Sequence, residues 1–142
     1  MTERNTAKGR CLCGAVAFTA HPAQCHVGAC HCKMCRKWGG GPYMEIDCGT
    51  DVVFEGTENI ALFNSSQWAE RGFCRSCGSH LFYHLKETNQ HMMQVGLFDD
   101  DEAFQFTHQV FVDEKPAYYS FANHTEDMTG AEVFAKFAPP SA

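Results

Sequence analysis

The 142-residue sequence has no run approaching the ~18 consecutive apolar residues that a membrane-crossing helix needs. The opening stretch, Met1-Thr2-Glu3-Arg4-Asn5-Thr6-Ala7-Lys8, is polar and lacks the apolar centre of a secretory leader. Cationic charge is also scarce: 11 Lys and Arg stand against 17 Asp and Glu, for a formal charge of -6. That balance opposes non-specific binding to nucleic acid or to anionic membranes. No sustained 3.6-residue hydrophobic period occurs before Thr129, which excludes a helical bundle. Low-complexity tracts and internal repeats are absent too, beyond a doubling of cysteine pairs. These features set the expectation of a cytoplasmic protein without membrane or nucleic-acid partners.

Short apolar runs punctuated by turn signals every ~8–12 residues fill the space. Val16 and Phe18 alternate onto one face. Further strands are expected at Tyr43 to Ile46, Val52 to Phe54, Ile60 to Phe63, Gln67 to Phe73, Leu81 to Tyr83, His91 to Leu97 and Phe104 to Val112. Gly39-Gly40-Gly41-Pro42 ends a short helical turn over Lys33 to Trp38. A second short helix is expected at Gly130 to Phe137, and Asp99-Asp100-Asp101-Glu102 as a solvated turn. The expected fold is mainly β with little helix. Residues 1–8 are read as a disordered tail and 9–142 as a single domain.

Nine cysteines stand out against this background. In a reducing compartment they read as metal ligands or reactive thiols before disulfides, and their odd number fits a disulfide framework badly. Seven are clustered: Cys11-Leu12-Cys13, Cys30-His31-Cys32-Lys33-Met34-Cys35, and Cys74-Arg75-Ser76-Cys77. A C-x-x-C turn brings two sulfurs about one ion's width apart, and a C-x-C pair on a strand places both on one face. Two such half-sites close a tetrahedral zinc site of four cysteines. The outer pairs are the natural partners, although spacing alone also lets the triplet share a pair. Gly14 and Gly78 suit the turns after each pair, and Arg10 and Arg75 are placed to offset thiolate charge.

The central triplet offers three ligands, which leaves one tetrahedral position open. His26, His31, Cys25 and Cys48 are the candidates to close it. Three thiolates make zinc a weaker Lewis acid than three imidazoles do, so activating water is not the natural task. Such a centre suits a fourth sulfur, held as an activated thiolate. A redox role for the triplet is the competing chemistry, but its C-x-x-C lacks a βαβ setting. His31 points away from its neighbours if the segment is extended, as a supporting or solvent-facing residue. Cys25 and Cys48 read as buried thiols, and His80 and His84, which share a strand face, as structural or surface residues. Trp38, Tyr43, Trp68 and Phe73 read as core aromatics, with one or two available to line a cleft. Seven thiolates and two Zn2+ ions would take the formal charge to about -9.

The ordered set Gly9-x-Cys11-x-Cys13-Gly14-x-Val16-x-Phe18, Cys30-His31-Cys32-x-x-Cys35-Arg36 and Phe73-Cys74-x-x-Cys77-Gly78-x-x-Leu81 resembles the glutathione-dependent formaldehyde-activating enzyme family, the GFA or CENP-V/GFA domain. His108-Gln109-Val110-Phe111-Val112 with Lys115-Pro116 resembles that family's ending, so the likeness runs over roughly residues 8 to 121. The resemblance implies an Mss4-like fold of several small antiparallel sheets. It implies a structural zinc on Cys11, Cys13, Cys74 and Cys77, and a second, open zinc on Cys30, Cys32 and Cys35 as the catalytic residues. The implied activity is a carbon–sulfur lyase that combines glutathione, as co-substrate, with formaldehyde into S-(hydroxymethyl)glutathione. Lys33, Arg36 and Lys37 are the candidates to hold carboxylates of such a thiol. The alternatives are a non-catalytic zinc-binding interaction module and a thiol-redox or zinc-transfer protein.

Overall fold

The computed structural model describes residues 6–137. In chain order the strands are β1 (Ala7–Arg10), β2 (Ala17–Ala20), β3 (His26–Cys30), β4 (Tyr43–Asp47), β5 (Val52–Glu55), β6 (Ile60–Asn64), β7 (Ala69–Cys74), β8 (His80–Leu85), β9 (Gln90–Gln94), β10 (Gln105–Val110) and β11 (Glu126–Met128). Among the described residues the α-helices are α1 (Lys33–Gly39) and α2 (Gly130–Phe137). The fold is mostly β with little helix, as its patterning foretells. Two compact units emerge: one holds the described residues up to Cys25 together with Glu45–Phe104, the other His26–Met44 and the described residues from Gln105 onward. Of the expected tail, residues 1–5 lie outside the described residues, while Ala7 and Lys8 belong to β1, paired with Ala20 and Thr19.

In the first unit every strand pairing is antiparallel. β2 lies between β1 and β5, and β7 lies between β6 and β8, with β9 following β8. Val16 and Phe18, the period-2 face read from the sequence, are buried, and so is Ala20. Phe18 meets Phe98 edge-on at 5.1 Å between ring centres, and Phe54 meets Phe82 at 5.3 Å. Phe54 is only partly buried; Phe18, Phe82 and Phe98, with the fully buried Ile46, Leu81 and Met93, form the core. Each such side chain contributes about 1.5–3 kcal/mol by leaving water. Gly72 has no Cβ because the Phe82 ring occupies that space. The ladder between β7 and β8 shifts register between Gly72 and Phe73. That irregularity sits directly before the Cys74–Cys77 turn.

The second unit corrects the antiparallel expectation. β10 is paired parallel with both β3 and β11. Parallel neighbours need a long crossover, and residues 45–104 intervene between β3 and β10. Local patterning carries no trace of so distant a partner. β11 is a strand that the patterning missed, being only Glu126-Asp127-Met128 and mostly exposed. β10 stops at Val110, earlier than expected, because Phe111 takes left-handed backbone (φ 57°) and its ring packs against Phe134 of α2. Both short helices match their expected positions. α1 is capped by Cys32 at its start and by Gly40 (φ 87°) at its end, whose N–H donates to the Arg36 carbonyl at 2.7 Å. Among the described residues no helix is long and apolar enough to cross a membrane.

Candidate metal centres

Cys11 and Cys13 lie in the tight turn between β1 and β2, not on a strand as the C-x-C spacing suggests. The turn is closed by the Cys11 N–H to the Val16 carbonyl (2.9 Å) and the Gly14 N–H to the Cys11 carbonyl (3.1 Å). Cys74 and Cys77 occupy a matching turn, closed by the Gly78 N–H to the Cys74 carbonyl at 2.7 Å. Gly78 there has φ 78°, a conformation that side-chain-bearing residues rarely adopt.

The two turns bring all four sulfurs within 4.8 Å of one another. Cys11 Sγ is 3.7 Å from Cys13 Sγ, and Cys13 Sγ is 3.8 Å from Cys74 Sγ. These separations are far too long for an S–S bond. They match the edge, about 3.8 Å, of a tetrahedron built from Zn–S bonds of ~2.3 Å. Ser79 ties the halves together: its oxygen accepts from the Leu12 N–H (3.1 Å), and its hydroxyl lies 3.2 Å from Cys77 Sγ. That hydroxyl is the leading cause of the Cys77 thiol being drawn down to about 5. Arg10 and Arg75, expected to offset thiolate charge, make their own contacts. Arg10 faces Asp99 at 3.9 Å, and Arg75 donates to the Ile60 carbonyl at 3.1 Å.

The second cluster lies where β3 runs into α1. Cys30 is the last residue of β3, Cys32 caps α1, and Cys35 is buried in its first turn. The Cys35 N–H donates to Cys32 Sγ at 3.3 Å. The three sulfurs lie within 4.8 Å of one another. Hydrogen bonding with Cys32 and Cys35, then burial, pushes the Cys30 thiol strongly upward. Three sulfurs this close resist joint ionisation unless a cation lies among them, so the donor set fits a soft divalent metal. Among the described residues, none of His26, His31, Cys25 or Cys48 joins them. Cys48 is buried and its thiol pushed up to about 12, first by burial and then by Asp47.

His31 is fully buried between two of these cysteines. Its Nδ1 lies 2.7 Å from the Tyr119 hydroxyl and its Nε2 2.7 Å from Gln109 Oε1. Burial holds its imidazole below the ordinary value. It is the supporting residue expected, not a solvent-facing one. Gln109 lies in the His108–Val112 stretch that carries the family likeness, but neither it nor Tyr119 and Ser79 is marked by sequence as a partner of a cysteine cluster.

Beside the cluster, Lys33, Arg36, Lys37 and Gly40 recur at helical spacing and line a cleft of about 360 Å3 with Tyr118. The Arg36 Nε donates to the His31 carbonyl at 3.0 Å. His80 and His84 stand in the first unit, outside both clusters. His84 contacts Glu70 and Asn89 and stacks on His91 at 4.4 Å. Of the aromatics, Tyr43 is buried, whereas Trp68 is half exposed and donates to the Tyr83 hydroxyl at 3.2 Å.

A crystal structure of a Rhodobacter sphaeroides protein shares the fold at a TM-score of 0.57 and 24% identity, over 65% of this chain and 87% of that one. An uncharacterized lyase of Schizosaccharomyces pombe is 35% identical over 127 residues, covering 89% of this chain and 93% of the relative. Residues 6–114 match the family model described as glutathione-dependent formaldehyde-activating enzyme. With two cysteine clusters able to hold a metal ion and a match over most of its length, the chain belongs to the glutathione-dependent formaldehyde-activating enzyme family.

Proposed function

We propose that the chain is a zinc-dependent carbon–sulfur lyase-type enzyme that joins a small anionic thiol, of the glutathione kind, to formaldehyde. Cys11, Cys13, Cys74 and Cys77 hold a structural zinc, and Cys30, Cys32 and Cys35 hold the second. The observation that carries the reading is the three-sulfur cluster without a fourth protein ligand among the described residues. When bound there, zinc supplies a soft electrophilic centre that keeps a visiting thiol ionised at neutral pH.

The chain's own residues do the rest. The Lys33, Arg36 and Lys37 side chains bordering the cleft attract and orient carboxylates of the thiol. Holding the thiol in one place turns a two-body addition into a positioned one. In the addition the sulfur–carbon bond forms and the carbonyl π bond breaks. The proton lost by the thiol is matched by the one gained on the new hydroxyl.

The test is exchange NMR of formaldehyde with glutathione. Micromolar protein is expected to speed adduct formation and breakdown equally. An unchanged exchange rate would sink the glutathione reading.

A further inference from the structure

His31 has every polar group occupied. Its N–H donates to the Val110 carbonyl at 3.1 Å, and its carbonyl accepts from Arg36 Nε at 3.0 Å. Its two ring nitrogens meet Tyr119 and Gln109, each at 2.7 Å. Beyond Gln109 the contacts continue. Gln109 Nε2 is 2.9 Å from Thr125 Oγ1, which lies 2.6 Å from Asp127 Oδ1.

The far end sets the direction of the whole chain. A carboxylate only accepts, so the Thr125 hydroxyl donates to Asp127. Its oxygen must then accept from the Gln109 amide nitrogen. Gln109 thus presents its carbonyl oxygen to His31, which must donate from Nε2–H. In a neutral imidazole Nδ1 is then the acceptor, and the Tyr119 hydroxyl donates to it. Each proton from Asp127 to the ring is assigned by the one before it, and in the neutral ring the Tyr119 proton follows.

We propose that His31 is a positioning residue of the open cysteine centre, locked as its Nε2–H tautomer by this directed chain from Asp127 to Tyr119. The proposal rests on the reading of Cys30, Cys32 and Cys35 as a metal centre, and is independent of which thiol is used. His31 sits between two of the ligands, so fixing its ring and backbone fixes the directions of Cys30 and Cys32. Its carbonyl also holds Arg36, and Tyr119 packs against Tyr118 at 5.5 Å, so both walls of the cationic cleft are tied to the same hub. Lys115 steadies the Tyr119 end: its Nζ donates to the Tyr119 carbonyl (2.8 Å) and the Ser120 hydroxyl (3.1 Å). Tyr119, Thr125 and Asp127 all follow residue 114, where the family match ends, so this part of the device is carried by the remainder of the chain.

The experiment is made on the zinc-loaded full chain. Nitrogen NMR of the His31 ring is expected to show a pyrrole-type Nε2 and a pyridine-type Nδ1. The opposite tautomer, or a doubly protonated ring, would overturn the directed chain. Chelator competition is then run on Gln109→Leu and Gln109→Glu. Gln109→Leu is expected to weaken metal binding at the triplet by about 10–100-fold, the usual effect of losing an orienting partner, with the four-cysteine site unchanged. Gln109→Glu keeps an acceptor for Nε2–H and is expected to restore most of that affinity. Equal affinity in wild type and Gln109→Leu would overturn the positioning role while leaving the metal centre standing. A wild-type triplet that binds no metal would instead bring down the functional reading, and this one with it.

Discussion

Cys74 and Cys32 carry the same thiol in different clusters, and substitution is expected to separate them. Cys74 is fully buried and joins two turns distant in sequence, so a metal on its site is bound only by the folded chain. Binding of that kind contributes on the order of 10 kcal/mol to folding. Cys74→Ser is expected to lose cooperative unfolding and one metal. Cys32→Ser is expected to lose the other metal yet keep its circular dichroism and thermal transition. A folded Cys74→Ser protein with both metals would contradict the assignment. His91 offers a test by pH. Burial, then the neighbouring His84, holds its imidazole down to about 4. The unfolded state, with an ordinary histidine near 6.5, binds more protons between those values. Its stabilising contribution is therefore complete above pH 6.5 and declines as pH falls toward 4. Denaturant titrations of wild type are expected to lose about 1 kcal/mol between pH 6.5 and 5.5 from this source. His91→Phe should flatten that slope, and an unchanged slope would argue against it.

At the scale of elements, α1 combines two functions in seven residues. Its first turn carries Cys35 and is capped by Cys32, while Lys33, Arg36 and Lys37 fall on a neighbouring face by their spacing of three and four. The helix is too short to persist alone, and its caps help to hold it. Lys37 is exposed and lines the cleft without joining the cysteine cluster. Lys37→Glu is expected to raise KM for an anionic thiol about tenfold with little change in kcat, since attraction becomes repulsion before the chemistry begins. The effect should shrink as salt is added. Steady-state kinetics showing an altered kcat at constant KM would place Lys37 elsewhere in the reaction.

At the scale of the whole molecule, metal content is the decisive quantity. Elemental analysis is expected to find two zinc ions per chain. Graded chelation should remove them in order. The three-sulfur site, one protein ligand short, gives up its metal first with no change in the thermal transition. The closed four-sulfur site follows, and unfolding accompanies its loss. Simultaneous loss of both metals in one cooperative step would show that the two sites are not independent.

Much of this arrangement is legible because it is local. C-x-C and C-x-x-C spacings bring sulfurs together whatever surrounds them, and Gly14, Gly78 and Gly40 mark the turns and the cap. Alternation at Val16 and Phe18 announces a half-buried strand in the same way. What spacing leaves open is decided by contacts between distant segments. The parallel pairing of β10 with β3 brings Gln109 opposite Ala29, two residues before His31, from nearly eighty residues away. Ser79 bridges two turns, and Tyr119, Thr125 and Asp127 complete a proton-ordered chain from a segment with no motif of its own. Short-range patterns report which conformations a segment favours by itself. Hydrogen-bond partners across the fold exist only once the chain has closed, and the support of the open centre is made almost wholly of such partners.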